Sequence, residues 1–136
     1  MKRNYRGFTL IELLVVVAIL GILSAIGITS YQGYTWSAKK KDAELSLNSI
    51  LLANEEYSSD NGEYYYIRSV SDASSGEIEK YLLDGKEILP TDDWRFGIKG
   101  DESNQKLEII ASHKTKTCTL TLTEKMGKAD QDGADC

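Results

Sequence analysis

The stretch Arg6–Tyr31, "RGFTLIELLVVVAILGILSAIGITSY", decides how this chain is to be read. Phe8 to Ile28 holds 21 residues with Glu12 as the only charge, a length that suits the roughly 20 residues needed to cross a bilayer. A carboxylate there costs about 2.5–3.5 kcal/mol on insertion scales, and an ionisable group inside a span marks function by default. The segment's leading flank is basic, with Lys2, Arg3 and Arg6 and no acidic residue among the first seven. That asymmetry favours the cytoplasmic side for the start of the chain and the opposite side for the remainder. A secretory signal has an apolar core of about 7–15 residues followed by a small-residue cleavage site. Here the run is longer, and Ser24-Ala25-Ile26 is a poor match to such a site. A plain anchor leaves "GFTLIE" unexplained.

At 136 residues the chain has room for one modest domain beside the apolar segment. The formal net charge is −5; without the first seven residues, 13 basic face 21 acidic side chains, a balance of −8. So acidic a remainder argues against wholesale attraction to nucleic acid, while leaving room for a local basic strip. The two cysteines, Cys118 and Cys136, both fall in the part expected outside. An even count in an exported domain favours a disulfide, whose ~18-residue loop would contribute roughly 3 kcal/mol in the chain-entropy model; two unpaired thiols are the alternative. His113 is the only histidine, too few ligands for a zinc site.

A short basic leader ending in glycine, then "FTLIE" and an unbroken apolar helix, closely resembles the type IV pilin and pseudopilin family. "YQGY" (Tyr31 to Tyr34) resembles the tyrosine pair that follows the apolar helix in type IVa pilins. This N-terminal match covers about residues 3–34. "KTCTLTLTEKMGK…DC" more weakly resembles the disulfide-bounded tail of pilins, minor pilins above all, and so points to a Cys118–Cys136 pair. The resemblance implies cleavage of the Gly7–Phe8 bond by a prepilin peptidase and N-methylation of Phe8. It also implies that the apolar helix is retained as the packing core of a filament. Glu12 would then meet the α-amino group of a neighbouring Phe8 in a water-poor interior. A missing partner there is penalised more than a present one is rewarded, so Glu12 is expected to set the register between subunits. Type IVa pilins usually carry a proline near the position of Thr29. This chain has Gly27-Ile28-Thr29-Ser30, which weakens a helix without removing a backbone donor and leaves open whether it unwinds there.

Beyond Tyr34 the helical rhythm continues. Ala43, Leu47, Ile50, Leu51 and Asn54 fall near one face, and "SSDNG" supplies a stop. One helix from Phe8 to about Tyr57 would be ~75 Å long, apolar all round in its first half and amphipathic in its second. In 60–92, "EYYYIRSV" suggests an extended segment, its tyrosines packed on the main helix. "SSGEIEKYLLDG" suggests a short helix capped by Ser74 with Glu77. Three period-2 strands follow, with Trp94, Phe96 and Ile98, then Leu107, Ile109 and Ala111, then Cys118, Leu120 and Leu122 on the apolar face. The expected fold is α+β, a long N-terminal α-helix packed on an antiparallel β-sheet head, the lollipop of the pilins. Its parts are a leader (1–7), a transmembrane and filament-core helix (8–31) and the amphipathic half of the same helix (32–58). A connecting region (59–93) and a sheet with a disulfide-bounded loop (94–136) complete it.

No catalytic constellation, cofactor site or metal site is legible. His113 reads as an exposed loop residue without an acid or nucleophile nearby. Asp130, Asp132 and Asp135 have the oxygen chemistry calcium prefers, but not EF-hand spacing, and read better as a solvated loop. Some minor pilins with similar tails bind DNA. A corresponding strip would use Arg95, Lys99, Lys106, Lys114, Lys116, Lys125 and Lys128, with Arg95, Lys114 and Lys116 as the contacts singled out. The expected function is a structural subunit, major or minor, of a type IV pilus serving adhesion, twitching motility or DNA uptake. The alternatives are a type II secretion pseudopilin and a DNA-receptor minor pilin. Implied partners are other pilins, prepilin peptidase, the inner-membrane assembly machinery and, before assembly, the membrane. The implied route runs from the inner membrane, with the head in the periplasm, to the cell surface.

Overall fold

The computed structural model of the chain describes residues 7–101, 106–123 and 127–136. They form two compact units, the first ending at Ala38 and the second running Lys39–Cys136. A 52-residue helix, α1, spans Leu10–Asn61. In the first unit it passes unbroken through Gly27–Ser30, where the absence of proline leaves every backbone donor in place. Ser24 and Ser30 donate their hydroxyls to the carbonyls of Leu20 and Ile26, so these polar side chains are satisfied within the helix. No large apolar side chain from Phe8 to Ile28 is less than 48% exposed. This is the one described helix long and apolar enough to cross a membrane.

In the second unit α1 buries a single stripe. Ala43, Leu47, Ile50 and Asn54, spaced four, three and four residues apart, are wholly inaccessible, the spacing of one helix face. Periodicity alone ends the helix near Tyr57, but the structure carries it to Asn61. Ser58–Asn61 still accept helical geometry, and the chain leaves only at Gly62, whose φ of 81° is open to glycine and whose N–H closes on the Ser58 carbonyl at 2.8 Å.

Four strands, β1 (Trp94–Asp101), β2 (Lys106–His113), β3 (Thr119–Thr123) and β4 (Asp130–Asp132), form an antiparallel meander in chain order. The register aligns Phe96, Ala111 and Leu120, and beside them Ile98, Ile109 and Leu122. All six lie on the core face with no more than 1% exposure. The sequence suggests three strands. The fourth carries only polar side chains, all exposed, so no apolar alternation marks it; it forms by pairing with Thr119–Thr121. Ile110, which interrupts the polar face of β2, is buried opposite Gly97. A Cβ at Gly97 would come within 2.6 Å of the Ser69 carbonyl oxygen, so Ser69–Val70 lies over this patch of the outer face.

The connection after α1 runs beside β1. Asn54 grips it by donating to the Tyr65 carbonyl at 3.0 Å and accepting the Tyr65 N–H at 2.8 Å. Ile67 N–H reaches the Ile98 carbonyl, and Ser71 bridges to Phe96. Helix α2 (Asp72–Tyr81) then begins under a reciprocal box in which Ser71 is the cap and Ser74 the third helical residue. The cap therefore lies three residues before the Ser74–Glu77 pair that the sequence suggests. Serine can reach back to the cap N–H as glutamate does, and Ser74 is drawn inward because its hydroxyl also stands 2.6 Å from the Phe96 carbonyl. Ser75 Oγ accepts the Phe96 N–H at 2.9 Å. The outward backbone groups of β1 thus meet side chains and an antiparallel run of backbone.

Replacing Asn54 with alanine leaves the Tyr65 N–H and C=O without their partner and should cost about 2 kcal/mol, measured by urea unfolding of the full chain in detergent. Asn54→Asp keeps the acceptor but buries a carboxylate whose second oxygen faces the Tyr65 carbonyl, and should cost at least as much as alanine. A loss under about 0.5 kcal/mol in the alanine variant would mean that water serves these groups equally well.

Candidate functional site

Gly7, Phe8 and Thr9 precede α1 in non-helical conformation, and Phe8 is 86% exposed. Thr9 is the cap of α1 and Glu12 its third residue. Glu12 Oε2 accepts from Thr9 N–H at 2.9 Å and from Thr9 Oγ1 at 2.7 Å, while Glu12 N–H reaches back to Thr9 Oγ1 at 3.3 Å. The sequence leaves Glu12 without an obvious partner in lipid; the structure supplies one three residues away. "TLIE" is a capping box, a signal that was present in the sequence. A negative group at a helix N-terminus also faces the positive end of the macrodipole. The carboxylate is therefore anchored locally but remains at the surface, beside the apolar side chains of Ile11, Val15 and Val16.

At the other end of the chain a disulfide joins Cys118 to Cys136. The tail it closes is fastened twice more. Asp135 accepts from Thr117 N–H and Oγ1, both at 2.8 Å, which holds its carboxyl below the usual range. Lys40 of α1 donates to the Cys136 carbonyl at 2.6 Å, and Gln131 donates to Glu44 at 3.0 Å. The hydrogen bond from Lys41, against the opposing effect of burial, holds the Glu44 carboxyl low. Asp130 caps its own neighbour, Gln131 N–H, and the described residues contain no group of three side chains able to hold a metal ion.

Of the basic residues singled out, Arg95 and Lys114 are partnered. Asp72, at the start of α2, meets Lys114 at 2.6 Å and Arg95 at 3.4 Å. The Lys114 hydrogen bond is the main reason its carboxyl titrates below the usual range. Asp72 is therefore ionised at neutral pH, and both pairs weaken as acid protonates it. Lys99 and Lys128 are exposed; Lys125 and the side chains of Lys106 and Thr29 lie outside the described residues.

His113 is not the exposed loop residue its basic neighbours suggest. It ends β2 with 9% exposure, stands edge-on to Trp94 at 5.0 Å between ring centres, and accepts the Lys116 N–H at Nδ1 over 2.9 Å. The alternation through Leu107, Ile109 and Ala111 places residue 113 on the core face, and that signal outranks the local charge. Of the three consecutive tyrosines, Tyr65 packs against Tyr57 of α1 and Tyr81 of α2, while Tyr66 lies where a side chain on Gly100 would stand.

The described residues thus join a helix apolar on every side, opened by the Thr9–Glu12 box, to a disulfide-tied antiparallel head. The model of the prokaryotic N-terminal methylation motif matches residues 2–28. A fimbrial protein of Pseudomonas aeruginosa is 39% identical over 147 aligned positions, covering 96% of both chains. A type IV major pilin protein of Neisseria gonorrhoeae is 42% identical across 90% of this chain and 59% of its own length. A fimbrial protein of Neisseria meningitidis serogroup B is 44% identical across 65% of this chain and 52% of its own length. The chain spans about half the length of these Neisseria relatives and nearly all of the Pseudomonas one. The chain belongs to the type IV pilin family.

If Asp72 neutralises its two cations, Asp72→Asn should strengthen retention of the full chain on heparin at low salt. It should also raise DNA retention above that of the parent. Unchanged elution would show that Lys114 and Arg95 are not masked by this carboxylate.

Proposed function

We propose that this chain is a structural, non-enzymatic subunit of a type IV pilus, held in the inner membrane before assembly and displayed on the cell surface after it. The observation that carries this reading is the pairing of Glu12 with Thr9 at the mouth of a helix whose apolar side chains are exposed on every side. Prepilin peptidase would cut between Gly7 and Phe8 and methylate the new amino group. Residues 1–7 are then the leader, 8–31 the membrane and filament-core helix, 32–58 its amphipathic continuation, 59–93 the connection and 94–136 the presented sheet and tail. Before assembly Thr9 screens Glu12; in the filament the carboxylate turns to the cationic terminus of an adjacent Phe8.

Exchanging lipid for neighbouring helices brings little hydrophobic gain, so packing and polar pairing must select the arrangement. A charge left unmatched in that interior costs about 3–5 kcal/mol, enough to reject staggers that miss the partner. The inner-membrane assembly machinery would draw the subunit from lipid, with the acidic head on the periplasmic side. The pilus reading stands ahead of a secretion pseudopilin because the similar proteins carry fimbrial and major-pilin names and because the tail is disulfide-closed. A DNA-receptor role is less favoured, since Asp72 occupies Lys114 and Arg95.

Intact-mass spectrometry of filaments sheared from cells should find the chain without residues 1–7, heavier by one methyl and lighter by two hydrogens. An uncut chain would overturn the processing scheme, and a processed chain confined to the inner membrane would favour the pseudopilin. Glu12→Ala should insert normally yet yield few filaments; wild-type piliation would remove its role in register. Replacing Gly7 with a larger residue should slow cleavage, seen as accumulated precursor.

A further inference from the structure

The connection from β2 to β3 folds back on the last residue of β2. His113 Nδ1 lies 2.9 Å from the Lys116 amide nitrogen and 3.2 Å from that of Thr115, both pointing their hydrogens at it. An imidazole that accepts two backbone donors at Nδ1 carries its proton on Nε2 and is neutral. The same turn holds three other parts of the second unit. Lys114 N–H bonds the Asp93 carbonyl and Lys114 Nζ meets Asp72. Thr117 holds Asp135 through both its hydroxyl and its backbone, and the Thr117 carbonyl lies against Gly133, where no side chain fits. Cys118, one end of the disulfide, closes the turn with a carbonyl that accepts from His113 N–H.

We infer that His113 is a proton-sensitive latch, and that protonating Nδ1 opens the turn Lys114–Thr117 and loosens its grip on the disulfide-bounded tail. A proton on Nδ1 replaces an acceptor with a third donor facing two others, so the turn's amides lose their partner. The charged groups around the ring come from four elements. Asp93, before β1, and Asp135, in the tail, favour the cation; Lys39 of α1 and Lys116 of the turn oppose it, and burial outweighs them all. Asp93 is itself engaged by Lys39 at 2.8 Å, which reduces its pull on the imidazole. The resulting value lies below that of an exposed histidine. The neutral form thus stabilises the closed turn above the ordinary histidine value of about 6.5, and that contribution is lost as the pH falls toward the lower folded value. The open fraction rises by up to about tenfold per pH unit in that window.

The test is amide hydrogen exchange, read by NMR on the full chain in detergent from pH 7.5 to 4.5 and corrected for intrinsic exchange. Protection at Thr115, Lys116 and Thr117 should be constant at the alkaline end and fall by up to about tenfold per unit below pH 6.5. Ile109 and Leu122 should not follow. His113→Asn places an oxygen near Nδ1 that accepts without titrating, and should abolish the step. A flat parent profile, or a step that survives in His113→Asn, overturns the latch. The ring nitrogen shifts of the parent decide the matter independently of how that variant folds. The Nε2–H tautomer near neutral pH supports the latch, and the Nδ1–H tautomer excludes it.

Discussion

A helix that is apolar on every side cannot be satisfied by the chain that carries it. The side chains from Phe8 to Ile28 stand open on the helix, while those of the head are sorted into a core and a polar surface. Lipid or other helices must supply what is missing, and this requirement conditions the rest. Flanking loops cannot fold over the segment without stranding their own backbone groups in an apolar setting. The helix has to be long enough to present this surface and still offer a second, one-sided stretch to the sheet. Its polar opening has to be self-contained, which the Thr9–Glu12 box achieves with residues inside the first turn.

The second unit solves a different problem, that of packing a four-stranded sheet on one helical stripe. The aligned rows Phe96–Ala111–Leu120 and Ile98–Ile109–Leu122 and the stripe Ala43–Leu47–Ile50 are mutually dependent, since neither surface is buried alone. Asn54 sits in that stripe although it is polar, because its amide mimics a strand partner for Tyr65. Glu79 is similarly kept inside by the Leu89 N–H. Each buried polar side chain of this kind fixes a loop to a regular element and replaces solvent with one defined partner.

How much of this was legible follows the physics of each signal. The long helix and the first three strands announce themselves by period, 3.6 in one case and 2 in the other. The motif "GFTLIE" carries both the processing expectation and a capping box. Asn54 fell on the right face, but its purpose depends on Tyr65, eleven residues away, and no local pattern encodes that pairing. The cap of α2 was displaced because Ser71 and Ser74 form a box without the acidic residue that usually advertises one. The fourth strand has no alternation to read; it exists because the disulfide and Gln131 bring Asp130–Asp132 alongside β3. At His113 the lysine neighbours suggest an exposed loop, whereas the strand period that ends on it places it inside.

The serines at the outer side of β1 have a consequence for crowding. A sheet whose border strand offers free N–H and C=O groups can recruit the border of another molecule, and in a filament many identical heads stand at very high local concentration. Here one border is occupied by Ser74, Ser75 and the Ile67–Ser71 run. The other is a strand of three residues carrying two aspartates, too short and too charged to zip with its likeness. Lateral β-bonding between heads is thereby suppressed at both borders. Order along the fibre is left to the helices, and the sheets can be held close together without fusing into a cross-β aggregate.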